Sequence, residues 1–406
     1  MIIYRVAIGA FLLVCGLGSF GQRAITAEEF VLRTLAAHPL VQAADADAAR
    51  ALAQLKSARA PANPTIELAP GVGATNGNLA LASTIDLFGK NRIAARVEAA
   101  ERSLSEALGV GVRLEAAREA LSVYAEVLTA QSMVAASEEG LATAIAIAET
   151  VRKRHEIGAA TLVQVRRAEL DALRAGQALN ATKATLHQAR MAALSLIGAK
   201  PEEEVSFEGW IASSDEGGAV APSSPSVKAA LAEITIAEAK IGLSRASRLP
   251  SVTAGIVADF WSLDRNPTTR NNIGFQVLLT TPIVDLGQSS NALRAAEASL
   301  ARSRAMLAEA QRRSALALGQ ARFQLDAARS GHKAYREELI PMATAILESL
   351  RAGYEAGLVA LAEVLEAQQS LGRLNAEESQ ARLAVYKAEV ELLAALGRLP
   401  GAEASR

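Results

Sequence analysis

The sequence predicts a mainly α-helical chain with a small β part suited to a membrane, built as one unit used twice. Three observations carry this expectation. The chain repeats itself: His38-Pro39-Leu40-Val41-Gln42-Ala43-Ala44 returns 186 positions on as Ser224-Pro225-Ser226-Val227-Lys228-Ala229-Ala230, and Pro64 returns as Pro250. Farther along the spacing is 199: Ile85-Asp86-Leu87 matches Val284-Asp285-Leu286, Glu156-Ile157-Gly158 matches Glu355-Ala356-Gly357, and Gly198 matches Gly397. The difference, 13 positions, is an insertion between Pro250 and Asp285. Each half also holds a helical run of nearly 70 residues, and each places a pair of short β-like stretches before that run.

From the N-terminus, residues 1–21 read as an export signal: Arg5 supplies the positive start, Val6 to Gly18 an apolar core, and Ser19-Phe20-Gly21 a small-residue cleavage site. Cys15 is the one cysteine. Leu12-Leu13-Val14-Cys15 half resembles a lipidation box, but Val14 is bulky where a small residue is needed. Loss of Cys15 with the signal is therefore expected rather than lipidation, which leaves no thiol for a disulfide or a thiolate metal site.

The two repeats are expected at 27–201 and 223–400, joined by a linker at 202–222 that is Glu-rich and then rich in Ser, Gly and Pro. The first repeat places strands at 65–73 and 79–87 around the turn Ala74-Thr75-Asn76-Gly77-Asn78, a hairpin signal. Helices follow at 88–157 and 160–198 on either side of Gly158. In the second repeat the strands lie at 251–261 and 271–284 around a longer polar turn, and the helices at 287–356 and 359–397 on either side of Gly357. Ala, Leu, Glu, Arg and Gln fill the long runs, as helix propensity favours. About 68 helical residues span roughly 100 Å at ~1.5 Å each, the length of a coiled-coil rod. A seven-residue rhythm supports that reading: Leu293, Leu300, Leu307, Ser314, Ala321 and Ala328, flanked by Ala296, Ser303, Ala310 and Ala317.

The strands alternate. Val252, Ala254, Ile256, Ala258 and Phe260 take one face against Ser251, Thr253, Gly255 and Asp259; Ile273, Phe275, Val277, Leu279 and Ile283 oppose Gly274, Gln276 and Thr280. Alternation alone fits a soluble hairpin packed on helices as well as a tilted membrane strand with lipid outside and water inside. Export and the 100 Å rods favour the membrane. The lipid-facing expectation then falls on Val252, Ile256, Phe260, Phe275 and Val277. Four strands cannot close a barrel, and an open edge is not tolerated in lipid, so such a chain must oligomerise.

Net charge of −1 argues against nucleic acid as a partner. Ser, His and Asp occur without a nucleophile or metal-ligand spacing, so neither catalysis nor a cofactor is expected.

In its duplicated plan, and in His38-Pro39-Leu40, Ile85-Asp86-Leu87-Phe88-Gly89-Lys90 with Arg92 and Arg96, Gly353-Tyr354-Glu355-Ala356-Gly357 and Glu363-Val364-Leu365-Glu366-Ala367-Gln368, the chain resembles the outer-membrane factors. These are the TolC-like exit ducts of tripartite efflux pumps and type I secretion. The Phe88-Gly89-Lys90-Asn91-Arg92 junction and Ile340-Pro341 look most like the heavy-metal efflux branch. The resemblance implies a homotrimer in the outer membrane, with a twelve-stranded β-barrel continued into the periplasm by an α-helical barrel. It implies a periplasmic adaptor and an inner-membrane pump as partners. Gly158 and Gly357 become the hairpin tips that meet the adaptor; capping by itself also explains both. Glu363 and Glu366, one helix face apart by three residues, become carboxylate rings lining the closed constriction, with Arg167 as a counter-charge and a hydrogen bond from Tyr354 to Gln164 holding the hairpins together. The competing readings are a periplasmic coiled-coil adaptor or scaffold without a barrel, and an exported enzyme.

Overall fold

The computed structural model describes residues 23–69, 77–203, 205–210, 224–260, 272–281 and 286–400. The expected export signal with Cys15, turn residues 74–76, most of the linker and the long turn from Ser262 to residue 271 lie outside them. In chain order the elements are β1 (Arg23–Ile25), α1 (Ala27–Ala37), α2 (Pro39–Arg59), β2 (Thr65–Ala69), β3 (Gly77–Ile85), α3 (Lys90–Glu156) and α4 (Leu162–Leu196). Then come β4 (Val205–Phe207), α5 (Pro225–Ala246), β5 (Ser251–Phe260), β6 (Asn272–Thr280), α6 (Gln288–Ala334), a π-turn (Tyr335–Leu339), α7 (Ile340–Glu355) and α8 (Leu361–Leu396).

The duplication is visible in the local chemistry. Pro39 and Pro225 each occupy the first turn of a helix, where the missing N–H forfeits no bond. Gly89 and Gly287 each start a long helix from the left-handed region, at φ 72° and 98°. Asp86 secures the first of these starts: its carboxylate oxygens accept from Lys90 N at 2.7 Å and Asn91 N at 3.0 Å. Asp86 and Leu87 therefore leave the expected strand 79–87, which ends at Ile85.

The 67 residues of α3 form one unbroken helix of roughly 100 Å, passing through Gly109 and Gly111. The equivalent run of the second half is not one helix. Pro341 lacks the N–H that would bond back to Glu337, and the backbone absorbs this as a π-turn immediately before it. Ala142 stands at the matching place in α3. The heptad expectation on α6 holds at Leu293, Leu300, Leu307, Ser314, Ala321 and Ala328 and at the flanking Ala296, Ser303 and Ala310, all sheltered; the flanking row then steps by one position, from the expected Ala317, which is exposed, to Leu318 and Leu325. A helix of 3.6 residues per turn drifts from a 3.5 repeat, and this one-position step in the flanking row absorbs the drift.

Two sheets form. The four-stranded sheet runs β2-β3-β5-β6, antiparallel throughout, and the β3–β5 pairing joins the two halves. Paired residues share a face, so the register builds apolar rows across the sheet: Ile66–Leu81–Ile256–Phe275, and Ile85–Val252–Leu279 toward the helical end. The other face carries Thr65–Ala82–Gly255–Gln276 and Glu67–Ala80–Val257–Gly274. β2 and β6, the two edges, are exposed along both faces over their described side chains. Ile256, Phe275 and Val277 are exposed, whereas Val252 is a correction: at the helical end of β5 it is only 8% exposed, so the chain itself covers it. The side chain of Phe260 lies outside the described residues.

The second sheet is a parallel pair, β1 with β4, that sequence reading did not expect. It turns part of the predicted linker into structure, with Ile25 opposite Phe207. Around it packs the larger core: Phe30, Leu121, Tyr124 and Phe207, all buried, with Trp210 and Val390. The Tyr124 hydroxyl donates to Ile25 O at 2.8 Å and Glu208 O at 3.0 Å, fastening the ribbon to the middle of α3. Desolvation pushes the Tyr124 hydroxyl pKa up to about 12. Trp210 lies against Tyr386 at 4.3 Å and donates to Glu389, which also receives Arg329 at 3.0 Å.

Candidate functional site

At the far end of the helices from the sheet, a second core of Val151, Val165, Leu347, Tyr354, Leu361, Val364 and Leu365 binds α3, α4, α7 and α8 into one four-helix tip. Both hairpin turns reverse at a left-handed glycine, Gly158 at φ 76° and Gly357 at φ 79°. In each, the residue after the glycine donates back across the last helical turn: Ala159 N to Arg154 O at 2.7 Å and Leu358 N to Gly353 O at 2.8 Å. This satisfies carbonyls that a helix end otherwise leaves open.

The two turns then differ. Thr161 opens α4 with a reciprocal capping box: its side chain accepts from Gln164 N, and Gln164 Oε1 accepts from Thr161 N at 2.9 Å. Ala360 opens α8 without a side-chain cap, and Glu363 in its first turn favours the positive helix end instead. His155 Nδ1 lies 2.7 Å from Ala160 O across the first turn. The residue in the same place of the second half is Tyr354.

The expected Tyr354–Gln164 hydrogen bond is not formed. Gln164 Oε1 serves the capping box, and the buried Tyr354 hydroxyl has no hydrogen-bond partner among the described residues. Arg154 joins the hairpins in its place. Its Nη1 donates to Tyr354 O and, at 2.8 Å, to Glu355 O, while its guanidinium lies 4.7 Å from the Tyr354 ring centroid. Burial raises the Tyr354 pKa, with Arg154 pulling the other way. Farther along the same seam, Gln369 donates to the buried Asp171 at 2.9 Å and Gln368 to Gly140 O at 3.2 Å; Lys387–Glu126 and Arg118–Glu391 follow toward the larger core. None of these rungs was expected from the sequence. Arg154–Tyr354 and Asp171–Gln369 join helices that run in the same direction and the other rungs join α3 to the antiparallel α8, so their pattern is visible only once the pairing of helices is known.

Val364 and Leu365 enter the tip core, so Glu363 and Glu366 are turned out of it and exposed. Arg167 is also exposed, and none of the three makes an ion pair within the chain among the described residues. Ile157, Leu162, Val163 and Leu358 leave an exposed apolar patch around the turns. Among the described residues no cluster of three or more His, Cys, Asp or Glu side chains is arranged to hold a metal, and no helix is long and apolar enough to cross a membrane.

The two halves, each a helical hairpin joined to the other through one antiparallel sheet, each match the outer membrane efflux protein family, over residues 31–199 and 219–398. The chain belongs to this family. This outer membrane efflux protein is accordingly an exit duct, and the scaffold reading without a barrel is not favoured. It is 26% identical over 297 residues to the cobalt-zinc-cadmium resistance protein CzcC of Cupriavidus metallidurans, covering 71% of this chain and 69% of that one. Its fold is that of VceC from Vibrio cholerae, at TM-score 0.73 and 19% identity, covering 91% of this chain and 96% of that one. The open-state MtrE channel of Neisseria gonorrhoeae is also similar, at TM-score 0.71 and 17% identity over 94% of this chain and 91% of that one. CusC gives TM-score 0.75 at 19% identity over 91% of each chain.

Proposed function

We propose that three copies of this chain close into a twelve-stranded barrel in the outer membrane, with the helices forming a tube in the periplasm. The observation that carries this is the sheet: four strands with an apolar and a small-polar face, open at β2 and β6. In lipid those edges must be paired.

The tip is then the working end. The exposed apolar side chains around Gly158 and Gly357 suit docking of a periplasmic adaptor, which links the duct to an inner-membrane pump. Glu363 and Glu366, pointing out of the tip core, become two rings of three carboxylates about the axis, a lining that favours cations. With the likeness to a cobalt-zinc-cadmium resistance protein, the lining supports divalent metal cations as cargo. Mass measurement of the detergent-purified complex is expected to give three chains; a monodisperse monomer that needs no detergent refutes the proposal.

A further inference from the structure

Where the first strand pair passes into α3, a cleft of about 490 Å³ opens between the end of α2 and the first turns of α3. Arg59, Arg92 and Arg96 line it over a floor of small side chains. Arg92 and Arg96 stand one turn apart on the same helix face, and none of the three arginines has an acidic partner within the chain among the described residues. Asp86, also in the cleft, is already engaged by the two backbone N–H groups of the α3 start. Three guanidinium groups therefore face solvent around one concavity with no internal use.

The duplication supplies a control. The second half builds the matching junction with Gly287 again at positive φ, but Asn291 and Ala295 stand where the first half has Arg92 and Arg96. Turning a strand into a long helix here does not require the arginines. Position suggests their purpose. Ile85 belongs to the apolar rows of the sheet, and the next residues, Leu87 and Phe88, are exposed apolar side chains at its helical end. Apolar band, exposed anchors and arginines follow one another in the order of acyl chain, interface and headgroup.

We propose that this cleft holds the phosphate group of an anionic phospholipid, one per protomer, in the leaflet facing the helices. The planar guanidinium fork matches phosphate oxygens in pairs, and Leu87 and Phe88 lie against the acyl chains. This rests on the membrane reading of the strands, and the test separates the two. The detergent-purified oligomer is incubated with phosphatidylglycerol, with phosphatidylethanolamine or with inorganic phosphate, and bound species are counted by native mass spectrometry. The parent is expected to retain phosphatidylglycerol at up to one per chain. Arg92→Gln/Arg96→Gln is expected to weaken that retention roughly thirtyfold, taking the usual contribution of a basic residue beside anionic lipid, with the oligomer intact and the zwitterionic lipid unaffected. Equal retention by the double variant overturns the proposal. Binding or competition by inorganic phosphate without phosphatidylglycerol retention overturns the lipid assignment. If the double variant fails to assemble, Arg59→Gln is measured instead, and unchanged retention there also overturns the assignment. A parent that is monomeric and needs no detergent overturns the membrane reading itself.

Discussion

Replacing Arg154 with Ala is expected to release the two hairpins from each other at the tip. The side chain makes two charge-assisted hydrogen bonds, to Tyr354 O and Glu355 O, and covers the Tyr354 ring at 4.7 Å. A hydrogen bond to a charged group contributes about 1.5–3 kcal/mol and a cation over an aromatic face about 0.5–2 kcal/mol. The three share one half-buried guanidinium and do not add. A net of roughly 2–4 kcal/mol is expected, which shifts the ratio of joined to separated tips ~30- to ~1000-fold at tenfold per 1.4 kcal/mol. Arg154→Lys is expected to fall between, because a compact ammonium cannot serve both carbonyls and stack. Tyr354→Phe is expected to be nearly silent, since its hydroxyl has no partner among the described residues; Tyr354→Ala is expected to resemble Arg154→Ala. The readouts are limited proteolysis at the Gly158 and Gly357 turns and single-channel conductance in planar bilayers. Parent-like protection and conductance in Arg154→Ala would refute the reasoning, as would a large effect of Tyr354→Phe.

Three further predictions follow from other parts of the molecule. Ile256→Arg and Phe275→Arg, on the apolar face, are each expected to destabilise the membrane strands by ~2–4 kcal/mol, while Thr253→Arg and Gln276→Arg are milder; equal oligomer yields from membranes at all four positions would remove the facing. The double variant Glu363→Ala/Glu366→Ala is expected to weaken cation preference, read as a reversal potential in asymmetric salt, and an unchanged potential leaves the two glutamates as a solvated helix face. Tyr124, pushed up to about 12, favours folding while protonated: that contribution is complete below about pH 10 and is lost as pH rises through about 12, on the order of 2–3 kcal/mol. Tyr124→Phe is expected to abolish this alkaline step in a thermal-melt series and to destabilise by about 1–3 kcal/mol at neutral pH; a step that persists in the variant assigns it elsewhere.

How much of the molecule was legible in the sequence depended on the range of the interactions. Gly158, Gly357 and the period of α6 act within one or two turns of their own helix and were readable directly, whereas Pro39 and Pro225 stood out only as a matched pair of the repeat. The π-turn lay within reach, because Pro341 breaks a run whose partner in the first half carries Ala142. The β1–β4 ribbon was missed because three-residue strands carry too little pattern, and Val205-Ser206-Phe207 sits in a stretch whose composition reads as linker. At the tip the sequence offers Gln164 as the partner of Tyr354, whereas the structure pairs Tyr354 with Arg154, a residue that no local pattern marks. Gln164 had a closer partner in Thr161, three residues away, and a local capping bond forms at little entropic loss.

The sequence by itself determined the duplicated plan, the long helices around their glycine turns, the alternation of β5 and β6, and the family, since each is written in spacing and residue type along one chain. Only the tertiary structure decided which half pairs with which: that β3 joins β5, that Val252 is covered while Ile256 and Phe275 are open, that Tyr124 ties the linker to α3, and that Arg154 reaches Tyr354 and Glu355. The hydrogen bonds among them join residues from 84 to 201 positions apart. Their geometry is set by how long helices and strands pack side by side, and no local rule of sequence encodes that arrangement.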